Sequence, residues 1–360
     1  MATKPIEQQV YKNNAERLAA IKRLARSTNN KQGISGITMA SDIAPSKRLS
    51  FGIKELDDAT GGGLLHGCFS ILWGEPGCSK TTMAMMIAAQ AQKEGKLVCW
   101  AALEKFDPIR AKEFGVNLDE MPVLTFPKAE QVLDVLLQYA REKLVDVFIL
   151  DSIHSLSPKG VQEDSKGQKS MEDSTIGVLA RKLSEFFPQA KDPVERADMA
   201  VVLIGQTRVK IGFICIEALT GGNALHHAAK FIMRIRHGAK DDAPFKDVTV
   251  DGKKEKKQIG FNAVFKFDKV QVSGCKPEQT SFSLPFFYES GYNLPSDLKE
   301  QVAKEEAEIE AQNAPVATKV EETAPTAVEP EKVVISPSGP YTASVNKEVK
   351  RRGRPKKTEK

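Results

Sequence analysis

Apolar residues arrive along this chain in short runs separated by stretches of helical spacing. Runs at 69–73, 97–101, 144–150, 200–204, 231–235 and 261–270 are of strand length and bounded by polar or turn-forming residues. Between the earlier runs, apolar positions recur every three or four residues and predict helices over 81–92, 108–114, 130–142 and 175–187. Strands separated by helix-length connections imply βαβ units. The fold class is therefore α/β, with a twisted, mainly parallel sheet flanked by helices. In such a sheet ligands sit beyond the carboxyl ends of the strands.

The two ends of the chain follow other rules. Over residues 1–30, Ile6, Val10, Leu18, Ile21 and Leu24 form a helical stripe among Lys, Arg and Gln. Such a stripe cannot bury itself alone; it packs on this core or on a neighbouring subunit. Residues 33–39 read as a short strand that a neighbour could also receive. Beyond 295 the chain turns charged and then rich in Ala, Pro, Val, Glu and Thr, with few aromatics and no sustained period, which predicts disorder. Three parts result: an N-terminal oligomerisation segment (1–48), a core (49–295) and a disordered tail (296–360).

Composition narrows the partners. Hydrophobic residues make up 41% of the 360 positions, enough for a substantial core, and the formal charge of +5 is small for that length. Any nucleic-acid surface must therefore be local. The cysteines Cys68, Cys78, Cys99, Cys215 and Cys275 are odd in number and unclustered, which argues for a reducing compartment and against structural zinc. No apolar stretch approaches the roughly 18–20 residues that span a membrane, and no signal-peptide core is present. These features predict a cytoplasmic protein without a membrane partner.

The most informative stretch follows the first core strand. Gly74, Glu75, Pro76, Gly77, Cys78, Ser79, Lys80, Thr81 and Thr82 stand between an apolar run and an Ala/Met-rich helix. Strand, loop and helix in this order cradle phosphates, because loop amides and the positive helix end face the anion. Lys80 would reach the outer phosphates, and the Thr81 hydroxyl would hold Mg²⁺. Ser79 stands where the motif asks for glycine, so a left-handed backbone there would be strained. The run at 144–150 leads straight into Asp151, placed for a magnesium-associated carboxylate. After 97–101 comes Glu104, which could orient or deprotonate an attacking water. After 200–204 comes Gln206, a neutral amide able to report a bound phosphate to the following loop. That loop, 209–225, and the polar segment 157–174 are long enough to be functional.

Together these residues resemble a known family. The order Glu104, Asp107-Pro108, Phe114-Gly115-Val116, Asp151-Ser152, Gly205-Gln206-Thr207-Arg208 and Thr220-Gly221-Gly222-Asn223-Ala224-Leu225 is similar to that of RecA-type homologous recombinases, over roughly residues 49–293. The resemblance implies a RecA-like P-loop core with ATP and Mg²⁺ as cofactors. It implies a helical homo-oligomeric filament on single-stranded DNA that pairs with duplex DNA in recombination and repair. Carried over by position, Lys80, Glu104 and Gln206 are catalytic, Thr81 and Asp151 hold the metal, and Asp107 and Arg110 join the phosphate loop in binding ATP. Ile176, Gly177, Arg181, Ser184, Arg208, Lys210, Gly221, Gly222 and Asn223 contact DNA, while Lys266, Lys269 and His227 lie at subunit interfaces.

This chain departs from the family pattern at Ser79, at Arg110 where a tyrosine is common, and at His226-His227. Those departures keep a nucleotide-binding DNA scaffold with little hydrolysis open as an alternative. A hexameric helicase-type motor shares the loop but not the Thr220–Leu225 string. The closing Arg352-Gly353-Arg354-Pro355, flanked by Lys and Arg, resembles an AT-hook. Its extended backbone suits a narrow minor groove of high negative potential, and a basic solubilising tail is the competing reading.

Overall fold

The computed structural model describes residues 11–32, 36–156, 176–210, 216–219, 222–240, 243–250, 253–271, 273–275, 281–293 and 295. The 157–174 loop, Gly221, the tail 296–360 and its Arg352–Pro355 motif lie outside these, as do Ile6 and Val10.

The helices are α1 (Asn14–Gln32), α2 (Lys54–Thr60), α3 (Lys80–Lys93), α4 (Pro108–Glu113), α5 (Ala129–Glu142), α6 (Ile176–Ala197) and α7 (Gly222–Ala228). The strands are β1 (Arg48–Leu49), β2 (Leu64–Leu65), β3 (Phe69–Gly74), β4 (Val98–Ala102), β5 (Val123–Leu124), β6 (Val147–Asp151), β7 (Ala200–Lys210), β8 (Ile216–Leu219), β9 (Ala229–His237), β10 (Phe245–Val250), β11 (Lys253–Gln258), β12 (Gly260–Val270) and β13 (Ser281–Phe287).

The main sheet runs β13-β12-β9-β3-β7-β6-β4-β5, with β8 added to β7. From β9 to β5 every neighbour is parallel, and β12 and β13 extend it antiparallel. The central strands β3, β4 and β6 are buried along their whole length, as strands covered on both faces must be. One face packs on α3, through Met83, Met86 and Ile87. The other packs on α5 and α6, through Val132, Leu136, Leu183, Phe187 and Val194.

Three expectations need correction. The helix expected to end at 187 continues to Ala197 through Pro188 and Pro193. Each interior proline removes a backbone donor, but Leu183, Phe187, Ala190 and Val194 bury against the sheet along the whole length, and tertiary packing sets helix length. The 209–225 segment is not all loop: β7 runs on to Lys210 and pairs with β8, Thr207 opposite Leu219 and Lys210 opposite Ile216. Residues 36–39 form no strand, and Ala40–Asp42 is a 3₁₀ turn; residues 33–35 lie outside the description.

The stripe on α1 is not covered by the rest of the described chain. Leu18, Ile21 and Leu24 are 43%, 54% and 64% exposed. Asn29 near its end grips the Ile37 backbone in both directions, at 2.9 and 3.1 Å. No helix among the described residues is long and apolar enough to cross a membrane.

Candidate nucleotide site

β3 delivers the loop at the carboxyl edge of the sheet. A side chain at Gly74 would meet the Ile235 carbonyl oxygen at 1.9 Å, so only glycine allows β3 to end this close to β9. The loop then turns through Gly77 (φ 75°) and Ser79 (φ 70°, ψ 10°) into α3. Ser79 does take the left-handed conformation in which a side chain costs on the order of 1 kcal/mol or more. Its hydroxyl hydrogen-bonds the Tyr292 hydroxyl and its neighbour's carbonyl.

Lys80 is only 6% exposed. Its ammonium donates to the Glu75 carbonyl and lies 3.6 Å from the Cys78 sulfur. For a buried lysine held by one loop carbonyl, an anion in the cradle would complete its solvation. Cys78 is fully buried against the Ile235 and Glu75 carbonyls, and burial pushes its thiol up, which makes it inert rather than reactive.

Opposite the loop, Thr81 donates to Asp151 at 2.9 Å. Burial pushes the Asp151 carboxyl up to about 6, with Glu104 adding to the rise and Thr81 and Lys80 opposing it. A desolvated carboxylate beside a threonine hydroxyl is an all-oxygen donor set that fits a hard divalent cation. The cation's charge would reverse the penalty of burial.

Glu104 is tied to the same strand end. The amides of Leu103 and Glu104 donate to the Asp151 carbonyl at 2.8 and 3.2 Å. Its carboxylate accepts from the Ser152 hydroxyl at 2.6 Å and from the Gln206 amide at 3.2 Å. His154 Nδ1 lies 2.6 Å from that same Ser152 hydroxyl, and its Nε2 is 3.6 Å from Glu104. Gln206 sits on β7 directly beside Gly74 of β3. The tips of β3, β4, β6 and β7 thus meet through Gly74, Glu104, Asp151 and Gln206.

A cavity of about 160 Å³ opens between these tips and α4, lined by Thr81, Thr82, Trp100, Glu104, Phe106, Asp107, Arg110 and Asp151 among others. Asp107 caps α4, accepting from the amides of Ile109 and Arg110 at 3.0 and 3.1 Å. Arg110 donates to the Tyr288 carbonyl at 3.0 Å and lies 4.8 Å over the Phe114 ring. Its guanidinium plane is therefore held at the cavity wall.

The remaining expected residues divide. Arg181 and Ser184 are exposed on α6 near its start at Ile176-Gly177, and Ser184 bonds back to the Ala180 carbonyl at 2.8 Å. Arg208 and Lys210 lie on β7 beyond Gln206, and Gly222 and Asn223 open α7. Lys269 donates to the His226 and His227 carbonyls at 2.7 and 3.4 Å, capping the end of α7 within this chain. Lys266 is exposed on β12, 4.0 Å from Asp268, and His227 lines an apolar groove with Phe187 and Ala224.

Sequence reasoning missed Ser152, His154 and Tyr292. The first two directly follow Asp151 and could have been suspected as its neighbours. Tyr292 lies 213 positions from Ser79, and no local pattern announces it.

A buried lysine at the mouth of a strand–loop–helix turn, with a hydroxyl beside it on the helix and a carboxylate at the end of a nearby parallel strand, is how a P-loop α/β core is built. The particular family follows from comparison with known proteins. Residues 19–272 match the RecA N-terminal domain, and the chain belongs to that family. It is 36% identical over 192 residues to Protein RecA of Marinobacter nauticus, covering 52% of this chain and 54% of that one. Over 222 residues it is 33% identical to Protein RecA of Rhodospirillum rubrum, with 61% and 59% covered. The match to Protein RecA of Dichelobacter nodosus is 37% over 192 residues, with 52% and 53% covered. The chain thus spans about half the length of the curated relatives it matches.

Proposed function

We propose that this protein is an ATP- and Mg²⁺-dependent recombinase that assembles as a filament on single-stranded DNA and pairs it with homologous duplex. One observation carries the reading: the Gln206 amide hydrogen-bonds Glu104 at 3.2 Å. On the same strand, β7 continues to Lys210 and pairs with β8, which in sequence precedes α7. Gln206 therefore stands between the candidate hydrolytic carboxylate and the segment proposed to touch DNA.

Lys80, the loop amides and the start of α3 would hold the phosphates, and Thr81 and Asp151 the magnesium. When bound, the triphosphate supplies an anhydride whose cleavage can drive filament turnover. Glu104 orients an attacking water and accepts its proton, with Ser152 and His154 fixing the carboxylate. Gln206 changes partner between Glu104 and the outer phosphate and so passes occupancy to β7 and β8. Basic side chains and backbone amides of α6, β7 and α7 hold the DNA phosphates, and sequence is read by base pairing. The exposed stripe of α1 supports assembly of copies, with residues 1–48 as the oligomerising part, 49–295 as the core and 296–360 as an accessory DNA-contacting tail.

The test is formation of joint molecules between single-stranded and homologous duplex DNA. Joint molecules should form with ATP and with a slowly hydrolysed analogue, and should vanish in Lys80→Ala. Filaments without joint molecules under any nucleotide would instead establish a scaffold. Truncation after Pro340 should weaken duplex capture and lower its salt slope.

A further inference from the structure

Ser79 is a side chain where glycine would be unstrained, and the structure supplies it with a partner. The Tyr292 hydroxyl hydrogen-bonds Ser79 Oγ at the turn from loop to α3. Tyr292 is itself rigidly held. Its ring packs against Phe265 and Phe286, with centroids 5.6 and 5.2 Å away. Burial pushes its phenol far above the usual range, so it stays neutral and able to donate.

The turn that carries it is tightly built. Phe287 and Gly291 exchange backbone hydrogen bonds at 2.7 and 2.9 Å, and Asn293 donates to Ser290 at 3.2 Å. Gly291 has φ 67°, and a side chain there would press on Phe114 at 2.9 Å and on Met86 of α3 at 3.0 Å. The same turn reaches the other end of the site, because the Tyr288 carbonyl takes the Arg110 guanidinium at 3.0 Å. One short turn after the last strand thus holds both the phosphate loop and the cavity wall.

We propose that the 287–293 turn is a positioning strap for the nucleotide site, and that Tyr292 is the positioning residue that lets Ser79 serve in a glycine position. The Ser79 hydroxyl donates to the Cys78 carbonyl, and its oxygen, at 8% exposure, would without Tyr292 compete for the loop amides that the phosphates need. Tyr292 takes up that hydroxyl and fixes the left-handed turn, leaving the loop amides directed into the cradle. Tyr292 acts through Ser79 and need not touch the ligand.

The inference rests on the nucleotide reading above, and a double-mutant cycle on the full-length chain separates the two. Tyr292→Phe keeps the ring packing and removes only the hydroxyl. It should weaken Mg·ATP binding by about five- to tenfold, the worth of one hydrogen bond. In the Ser79→Gly background the same change should have no effect, because the hydroxyl it serves is gone. The KM for ATP should move with the affinity, and kcat should change less. Equal losses in both backgrounds, or no loss in either, would overturn the strap while leaving the site intact. Failure of the unmodified chain to bind Mg·ATP would overturn the nucleotide reading, and the strap with it.

Discussion

The helices α3 and α1 both carry apolar residues, more densely in α3 than in the longer and more polar α1, and end in opposite environments. α3 is enclosed around most of its circumference, with Met83, Ala84, Ile87 and Ala88 wholly buried and its first turn carrying Lys80 and Thr81 of the candidate nucleotide site. α1 leaves Leu18, Ile21 and Leu24 facing outward. The difference follows from where each partner lies. α3 follows β3 within a βαβ unit, so its cover is fixed by its own chain. Among the described residues α1 precedes every strand, so no βαβ unit encloses it. An exposed stripe of this kind is available to pack on another molecule, and in the filament proposed above that molecule is a second copy of this chain.

Variants on the two helices should therefore fail in different ways. The largest effects belong to the site that α3 anchors. Glu104→Gln should slow ATP hydrolysis by about 10²–10⁴-fold while nucleotide affinity stays near normal, as single-turnover and equilibrium binding assays would show. A fall in affinity equal to the fall in rate would remove Glu104 from the chemistry. Lys80→Ala should cost about 10²–10³-fold in turnover, and ATP affinity should fall with it. Next, Ile87→Ala should destabilise the fold by about 2–5 kcal/mol, measured by denaturant unfolding. Leu24→Ala should change it by less than about 0.5 kcal/mol. If Leu24→Ala proved as costly as Ile87→Ala, α1 would be packed on its own core and the comparison would break. The smallest change in a single chain should have a large effect on assembly. Replacing Leu18, Ile21 and Leu24 together by serine should leave Mg·ATP binding intact and abolish oligomers in light scattering.

The parts legible in the sequence were those written in local patterns. β3, β4, β6 and β9 follow from apolar runs, and the cradle follows from glycines, a lysine and threonines at fixed spacing. Glu104, Asp151 and Gln206 could be placed because a parallel sheet gathers its strand ends at one edge. What escaped was non-local or decided by packing. The extension of α6 through Pro188 and Pro193 depends on the sheet it covers. The β7–β8 hairpin depends on pairing that its composition does not advertise. Lys269 turned out to cap α7, and Tyr292 meets Ser79 only because β12 and β13 bring the chain back beside the loop.

The central claim is that nucleotide occupancy is passed through Gln206 to the DNA-contacting segment. The direct measurement is the affinity for a single-stranded oligonucleotide, with and without a slowly hydrolysed ATP analogue, in the unmodified chain and in Gln206→Ala. The account predicts at least about tenfold tighter binding with the analogue, a coupling of roughly 1.4 kcal/mol, and loss of that difference in Gln206→Ala while analogue binding persists. Equal DNA affinity with and without the analogue in the unmodified chain, or full coupling retained in the variant, would contradict it.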